Sequence, residues 1–288
     1  MGPVANTRGV ALSRDGLFAS TARPGDGLFV YDLARKSEQS VITAADLNLT
    51  PSPGVWSEDG RDVVFTAALD GVRGIYRKPA NGGGKAELLL RSPTNIQNPA
   101  DVSSTGTLVF TEVDPKTGAD IWYVSTLGEG SRTPEKFLAT AALESQPQLS
   151  RDGRWLAYVS DESGQPEVYV RAFPSGPGFA KVSSHGGIEP RWKHDGAELY
   201  FREGIDSPNR ALLAAPMKAD SGGGISAGVP VALFRFSAAT SSLQNNSWRY
   251  APSPDGQRFL VAARVETAAP AIHVITNWLK ATKDAGKQ

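Results

Sequence analysis

A four-residue phrase recurs six times along the chain: Ser13-Arg14-Asp15-Gly16, Ser57-Glu58-Asp59-Gly60, Ser103-Ser104-Thr105-Gly106, Ser150-Arg151-Asp152-Gly153, Lys193-His194-Asp195-Gly196 and Ser253-Pro254-Asp255-Gly256. Its glycines lie roughly 43 to 47 residues apart, with a last interval of about 60. A unit of this length cannot bury its own apolar face, so copies must stack, and the period is that of a β-propeller blade. Asp-Gly supplies the positive φ that a tight hairpin needs, and each phrase therefore reads as the reversal between a blade's first and second strands.

The flanking segments carry the β-branched and aromatic residues of a pleated, half-buried surface. Second strands are expected over residues 62–66, 108–112, 155–160, 198–202 and 259–263, and third strands over 28–33, 74–79, 120–126, 167–173, 210–217 and 271–276. Short fourth strands follow at 40–43, 86–90, 179–183 and 229–234. The last unit runs out before its fourth strand. The expected fold is thus all-β: a six-bladed β-propeller of four-stranded antiparallel blades, with pairing of N- and C-terminal strands, using residues 3–7, as the way to close the ring. Residues 1–280 form one such domain and 281–288 a disordered charged tail.

Thirty Gly and 20 Pro in 288 residues require frequent turns and argue against a helical protein. Thirty basic residues balance thirty acidic ones, leaving no net field to hold a phosphate backbone, so nucleic acid is not an expected partner. There is no cysteine for a disulfide or a thiolate metal site. The N-terminus lacks the basic start and apolar run of a signal peptide, and no stretch approaches the length of a membrane span.

In the phrases themselves and above all in residues 150–164, Ser-Arg-Asp-Gly-Arg-Trp-Leu-Ala-Tyr-Val-Ser-Asp-Glu-Ser-Gly, followed by Glu167-Val168-Tyr169-Val170-Arg171, the chain resembles the TolB-like β-propeller repeats, bacterial relatives of the WD repeat. Its end, Ser253-Pro254-Asp255-Gly256-Gln257-Arg258-Phe259-Leu260-Val261 with Ile275-Thr276-Asn277-Trp278, is similar to the propeller that follows bacterial serine/threonine kinases. No glycine-rich nucleotide loop, HRD loop or DFG element is present. The resemblance covers nearly the whole chain and implies a non-catalytic binding platform for a protein or peptide. It also implies work outside the cytoplasmic membrane, although this chain carries no export signal. A truncated reading frame and a naturally short version both fit the absence of the kinase. A sensor or regulatory propeller detached from a kinase, and the propeller of a glycan-active or peptidase-associated enzyme, are the alternatives.

Several patterns invite chemistry and are better read as structure. Gly224-Ile225-Ser226-Ala227-Gly228 matches GxSxG, but a glycine run precedes it, a strand follows, and only His273 lies downstream; a loop of small residues is expected. Ser150-Arg151-Asp152-Gly153-Arg154-Trp155 is one residue short of a sialidase Asp-box. His185, His194 and His273 have no metal-binding spacing, Asp114 to Asp120 lacks the donors of a calcium loop, and Asn81-Gly82-Gly83-Gly84-Lys85 fails the Walker pattern. No catalytic residue, metal or cofactor is expected, and a monomer is. The repeated Asp residues are assigned to turns at the blade periphery. The remaining candidate is geometric: residues leading into each innermost strand bring Gln97, Asn98, Gln146, Glu189 and Arg249 to one rim of the central channel, as a binding site.

Overall fold

Each repeated phrase closes a hairpin in the same way. Ser13 N–H donates to Phe18 O and Gly16 N–H to Ser13 O, both at 2.8 Å, while the Ser13 hydroxyl donates to Asp15 Oδ1 at 2.6 Å and accepts from Phe18 N–H at 2.9 Å. The Ser57, Ser150 and Ser253 turns repeat the hydroxyl bridge to Asp59, Asp152 and Asp255. The phrase keeps Ser and Asp because together they satisfy turn donors that no ladder partner reaches. It keeps Gly because all six phrase glycines have φ between 67° and 73°. Glycine alone takes the left-handed conformation here, with the preceding aspartate on the ordinary side of the map.

The computed structural model describes residues 7, 9–43, 53–92, 94–116, 118–126, 132–204, 209–238, 243–263 and the strand 271–276. These residues form an all-β molecule of antiparallel sheets in which the chain runs from the innermost to the outermost strand of each. Sheet 1 holds β1 (Ala11–Leu12), β2 (Phe18–Arg23), β3 (Gly27–Asp32) and β4 (Ser37–Thr43); sheet 2 holds β5 (Val55–Trp56), β6 (Asp62–Leu69), β7 (Val72–Pro79) and β8 (Glu87–Arg91). Sheet 3 comprises β9 (Ile96–Val102), β10 (Thr107–Asp114), β11 (Gly118–Ser125) and β12 (Glu135–Leu138), and sheet 4 β13 (Glu144–Leu149), β14 (Trp155–Ser160), β15 (Glu167–Ala172) and β16 (Phe179–Lys181). Sheet 5 adds a strand to the pattern: β17 (Gly187–Trp192), β18 (Glu198–Glu203) and the long β19 (Asn209–Ala219), which pairs with both β20 (Ile225–Ala227) and β21 (Val231–Ser237). The last sheet has three strands, β22 (Tyr250–Pro252), β23 (Arg258–Ala263) and β24 (Ala271–Thr276).

Five blades are complete among the described residues, one fewer than the repeat count predicts, because the last sheet has no outer strand there. Residues 3–6 of the segment expected to close the ring lie outside the described residues. Thr7 belongs to the inner end instead: its carbonyl accepts from Arg249 Nη1 at 3.4 Å and its hydroxyl donates to Gly9 O at 3.0 Å. The first and last sheets meet through their inner strands, Val10 N–H donating to Trp248 O at 2.9 Å. The 281–288 tail also lies outside the described residues.

Apolar side chains fill the spaces between successive sheets. Leu28, Val30 and Val41 pack on Trp56, Val63 and Phe65, and Val159, Val168 and Val170 on Ile188, Leu199 and Phe201. Several of these are fully buried, each worth about 1.5–3 kcal/mol over exposure. That packing fixes the inner strands of the sheets around a channel whose two ends are built differently.

Candidate functional site

At one end stand the residues that lead into the inner strands. In sheets 4 and 5 the sequences Gln146-Pro147 and Glu189-Pro190 fall in breaks of ladder register, and in sheet 3 the break comes at Ala100, just after Asn98-Pro99. Proline cannot donate to a ladder, and the bulge turns the preceding residue inward. Gln146 and Glu189 take φ of 53° and 59°, left-handed values for residues with side chains, and both are completely buried.

Their side chains form a relay from sheet to sheet. Gln146 Oε1 accepts from Glu189 N–H at 2.8 Å, and Glu189 Oε2 accepts from Arg249 N–H at 2.8 Å. Glu189 Oε1 takes a 3.3 Å contact from Arg202 Nη1, so a buried ion pair sits inside the relay, and Tyr250 donates its hydroxyl to Glu189 O at 2.7 Å. Burial and the Glu189 charge push the Tyr250 hydroxyl well above its usual range, which keeps it a donor. All five residues singled out from the sequence are thus brought to this end, and all are buried, Gln97 at 5%, Asn98 at 8% and Arg249 at 6% exposure. Gln97 turns from the relay to its cross-strand partner, donating to Glu112 Oε2 at 2.8 Å.

What fills this end is the segment before β22. It comprises a single 3₁₀ turn, Leu243–Asn245, followed by Asn246 and Trp248. Asn246, 1% exposed with φ 40°, donates to Asn98 O at 2.7 Å and accepts from Gln146 N–H at 2.9 Å and from the Thr111 hydroxyl at 3.0 Å. Asn98 Nδ2 donates to Gln244 O at 2.9 Å, and Trp248 donates its indole N–H to Pro190 O at 3.0 Å. Sheets 1, 3, 4 and 5 are thereby tied to one segment.

The opposite end carries the repeated turns. The turns were expected at the blade periphery; instead, their second residues converge across the channel mouth, because the innermost strand delivers each turn to the axis. Arg14 of sheet 1 meets Glu58 of sheet 2 at 3.1 Å, and passes over that sheet to Asp101 of sheet 3, also at 3.1 Å. Arg151 of sheet 4 reaches Glu58 at 3.8 Å across sheet 3, where the exposed Ser104 is too short to intervene. Arg151 Nη1 donates to His194 Nδ1 of sheet 5 at 3.0 Å, which requires a neutral ring protonated on Nε2. Burial first, and then Arg151 and Arg14, hold the His194 pKa below its ordinary value.

Beneath this lacework lies a cavity of about 60 Å³, room for a few waters, lined by Arg14, Trp56, Asp101, Arg191, Asn246 and Trp248 among others. A groove past Gln148, Arg191, Trp192, His194 and Pro254 leads to it from the surface. Arg14, Glu58, Asp101, Arg151, Arg191 and His194 went unremarked as a site in the sequence. The signal was present: the phrase is nearly constant at its first, third and fourth places and variable at its second.

Ser226 lies on the short strand β20, rather than in a loop, and its exposed hydroxyl donates to Lys218 O at 3.4 Å. Among the described residues, no group of three or more His, Cys, Asp or Glu side chains could hold a metal ion, and no helix is long and apolar enough to cross a membrane.

No family model and no curated protein sequence matches the chain. Solved structures do. TolB from Acinetobacter baumannii superposes with a TM-score of 0.66 at 15% identity over 94% of this chain, which spans 61% of that protein's length. The putative TolB from Agrobacterium tumefaciens gives 0.63 at 18% identity, covering 94% of this chain and 90% of that one. An oligogalacturonate lyase from Vibrio parahaemolyticus gives 0.62 at 17% identity, covering 96% and 78%. TolB proteins and a lyase alike share this fold, so the likeness carries the architecture alone.

Proposed function

We propose that this chain, whose fold is that of the TolB-like β-propellers, is a non-catalytic binding module that takes a peptide segment of a partner protein at the channel mouth formed by Arg14, Glu58, Arg151 and His194. The observation that carries this reading is the asymmetry of the channel. Its one end is filled by buried groups bonded from sheet to sheet, and the other presents the half-exposed charges of Arg14, Glu58 and Arg151, from three sheets, above a small cavity. Ion pairs in such surroundings are worth about 0–1 kcal/mol, so an incoming chain displaces them cheaply. In this reading the three-stranded sheet is the sixth blade of the ring, its inner strand β22 lying beside β1, and Gln97, Asn98, Gln146, Glu189 and Arg249 frame the closed end.

Absence of catalysis is argued from the groups at hand. Glu189, the most enclosed carboxylate in the channel, has one oxygen on Arg249 N–H and the other on Arg202, so neither serves as a free base. The test is selection of binders from a random peptide library on the whole chain, followed by affinity measurement with Glu58→Ala and Arg151→Ala. Retained peptides should be recovered chemically intact and bind the double variant about tenfold more weakly, the loss expected for charge-assisted hydrogen bonds. Peptides that are cleaved, or that bind the variant as well as the parent, would overturn the proposal.

A further inference from the structure

Arg202 and Arg191 both stand near the channel, and of these two only Arg202 has a carboxylate within 4 Å among the described residues. Arg202, 1% exposed, pairs with Glu189. Arg191 has no carboxylate within 4 Å among the described residues. Its single hydrogen-bond partner is neutral: Nη1 donates to Gln148 Oε1 at 2.8 Å. Its Nε is shut off from solvent with no acceptor. The planar guanidinium lies 4.2 Å from the centroid of the Trp248 ring, a geometry that occupies a face and leaves the donor edge available. Gln148 is itself held by Ala100 O at 2.9 Å and Pro147 O at 3.1 Å, so Arg191 is positioned from two sides.

A buried charge without a counter-ion is costly, and proteins ordinarily pair it. The nearest carboxylate cannot supply the pair. Asp101 Oδ1 accepts from Val102 N–H at 2.9 Å and from Arg14, and its Oδ2 accepts from Leu149 N–H at 3.2 Å. Burial holds the Arg191 guanidinium down to about 10, which leaves it charged at neutral pH. Arg191 lines both the channel cavity and the groove that leads into it from the mouth.

We infer that Arg191 is a carboxylate receptor: its counter-ion is a carboxylate of the ligand, bound at the Nη2 end of the guanidinium inside the mouth, with Arg14 beside it. This inference rests on the mouth being the binding end and names the chemistry it selects. A carboxylate suits the site because its oxygens accept charge-assisted hydrogen bonds from a guanidinium, and about 60 Å³ has room for a carboxylate group. A free organic acid and an acidic side chain of a partner peptide share that chemistry.

The experiment titrates the whole chain with citrate, with a peptide rich in Asp and Glu, and with the same peptide carrying Asn and Gln, at low salt. It is repeated on Arg191→Met, alongside thermal unfolding of both chains without ligand. At least one acidic probe should bind, the acidic peptide about tenfold or more above its amide counterpart if the ligand is a peptide, and citrate alone if it is a free acid. Arg191→Met should abolish that binding and leave the melting temperature unchanged or raised, since it removes a partly desolvated charge that makes no ion pair among the described residues. Equal binding of acid and amide probes, no binding of either acidic probe, binding that survives in Arg191→Met, or a melting temperature lowered as by a core substitution would each overturn the inference. If library-selected peptides bind through Glu58 and Arg151 without preference for acids, the binding reading stands and the carboxylate receptor falls. If citrate binds through Arg191 while no peptide is selected, the reverse holds.

Discussion

The two ends of the channel use similar side chains to opposite effect. At the closed end, Gln146, Glu189, Arg202 and Asn246 are at most 1% exposed, and the side chains of Gln146, Glu189 and Asn246 bond the main chain of neighbouring sheets. At the mouth, Arg14, Glu58 and Arg151 keep side-chain exposures of 30%, 28% and 48%, and pair chiefly with other side chains, Arg14 alone adding a bond to the backbone at Val102 O. A hydrogen bond to buried backbone cannot be given up without stranding its partner, whereas a half-exposed ion pair can be exchanged for water or for a ligand. Polarity alone therefore does not mark a site. What its partners lose when it leaves is the better guide.

The sharpest way to break that contrast is Asn246→Ala. The change strands Gln146 N–H, Asn98 C=O and the Thr111 hydroxyl together. It also leaves alanine at φ 40°, a conformation asparagine tolerates better. A loss of about 3–5 kcal/mol is expected in urea unfolding, from about 1–3 kcal/mol per stranded buried group. A cost no larger than that of a surface change, under about 0.5 kcal/mol, would mean that the closed end is not locked.

The architecture was legible because it repeats. The second strand predicted at 155–160 is β14 (Trp155–Ser160), and the third predicted at 271–276 is β24 (Ala271–Thr276), since alternation and turn residues are local signals. The extra strand of sheet 5 was not legible. β19 (Asn209–Ala219) runs on past the pairing with β18 and takes up β20, a choice made by tertiary contact rather than propensity. The entrance residues were found because residues leading into an innermost strand come nearest the channel, but their burial depends on Asn246 and Trp248, whose segment carries no periodic pattern. The mouth was hidden by the regularity that revealed the fold. Ser, Asp and Gly of each phrase are explained by the turn, and Arg14, Glu58, Arg151 and His194 stand between them as the residues the turn does not need.

A smaller effect separates the frame of the mouth from its contents. The carboxylate of Asp255 is held below the usual range by the Ser253 hydroxyl and then by Gln257 N–H. Asp255→Ala removes both bonds at an exposed turn and should cost about 1 kcal/mol at neutral pH. Because the folded-state pKa is the lower one, the stabilisation is fully present above the unfolded value of about 3.9 and is lost as pH falls through the folded value. The difference between the two chains in urea unfolding should therefore stay constant at neutral pH and close below about pH 3.9. A gap that persists in strong acid would mean that the side chain packs rather than accepts.

The smallest effect belongs to His194, and its sign runs the other way. Its folded pKa is held down, so the unfolded chain takes up a proton first, beginning near the ordinary value of about 6.5. Between that pH and the lowered folded value the unfolded state binds more protons, and stability falls as the solution is acidified. His194→Gln keeps an acceptor for Arg151 without the titration, and should flatten this stretch of the stability profile by well under about 1 kcal/mol, as befits a half-exposed group. Binding at the mouth should respond more strongly than stability does. Below the folded pKa the protonated ring can no longer accept from Arg151 Nη1, which frees that guanidinium at the moment the mouth gains a positive charge. An acidic ligand should then bind more tightly to the parent chain as pH falls while its own carboxylates remain ionised, and His194→Gln should lose the trend. A parent chain whose acidic-ligand affinity is flat between pH of about 7 and 5 would show that the Arg151–His194 contact is a bystander at the mouth.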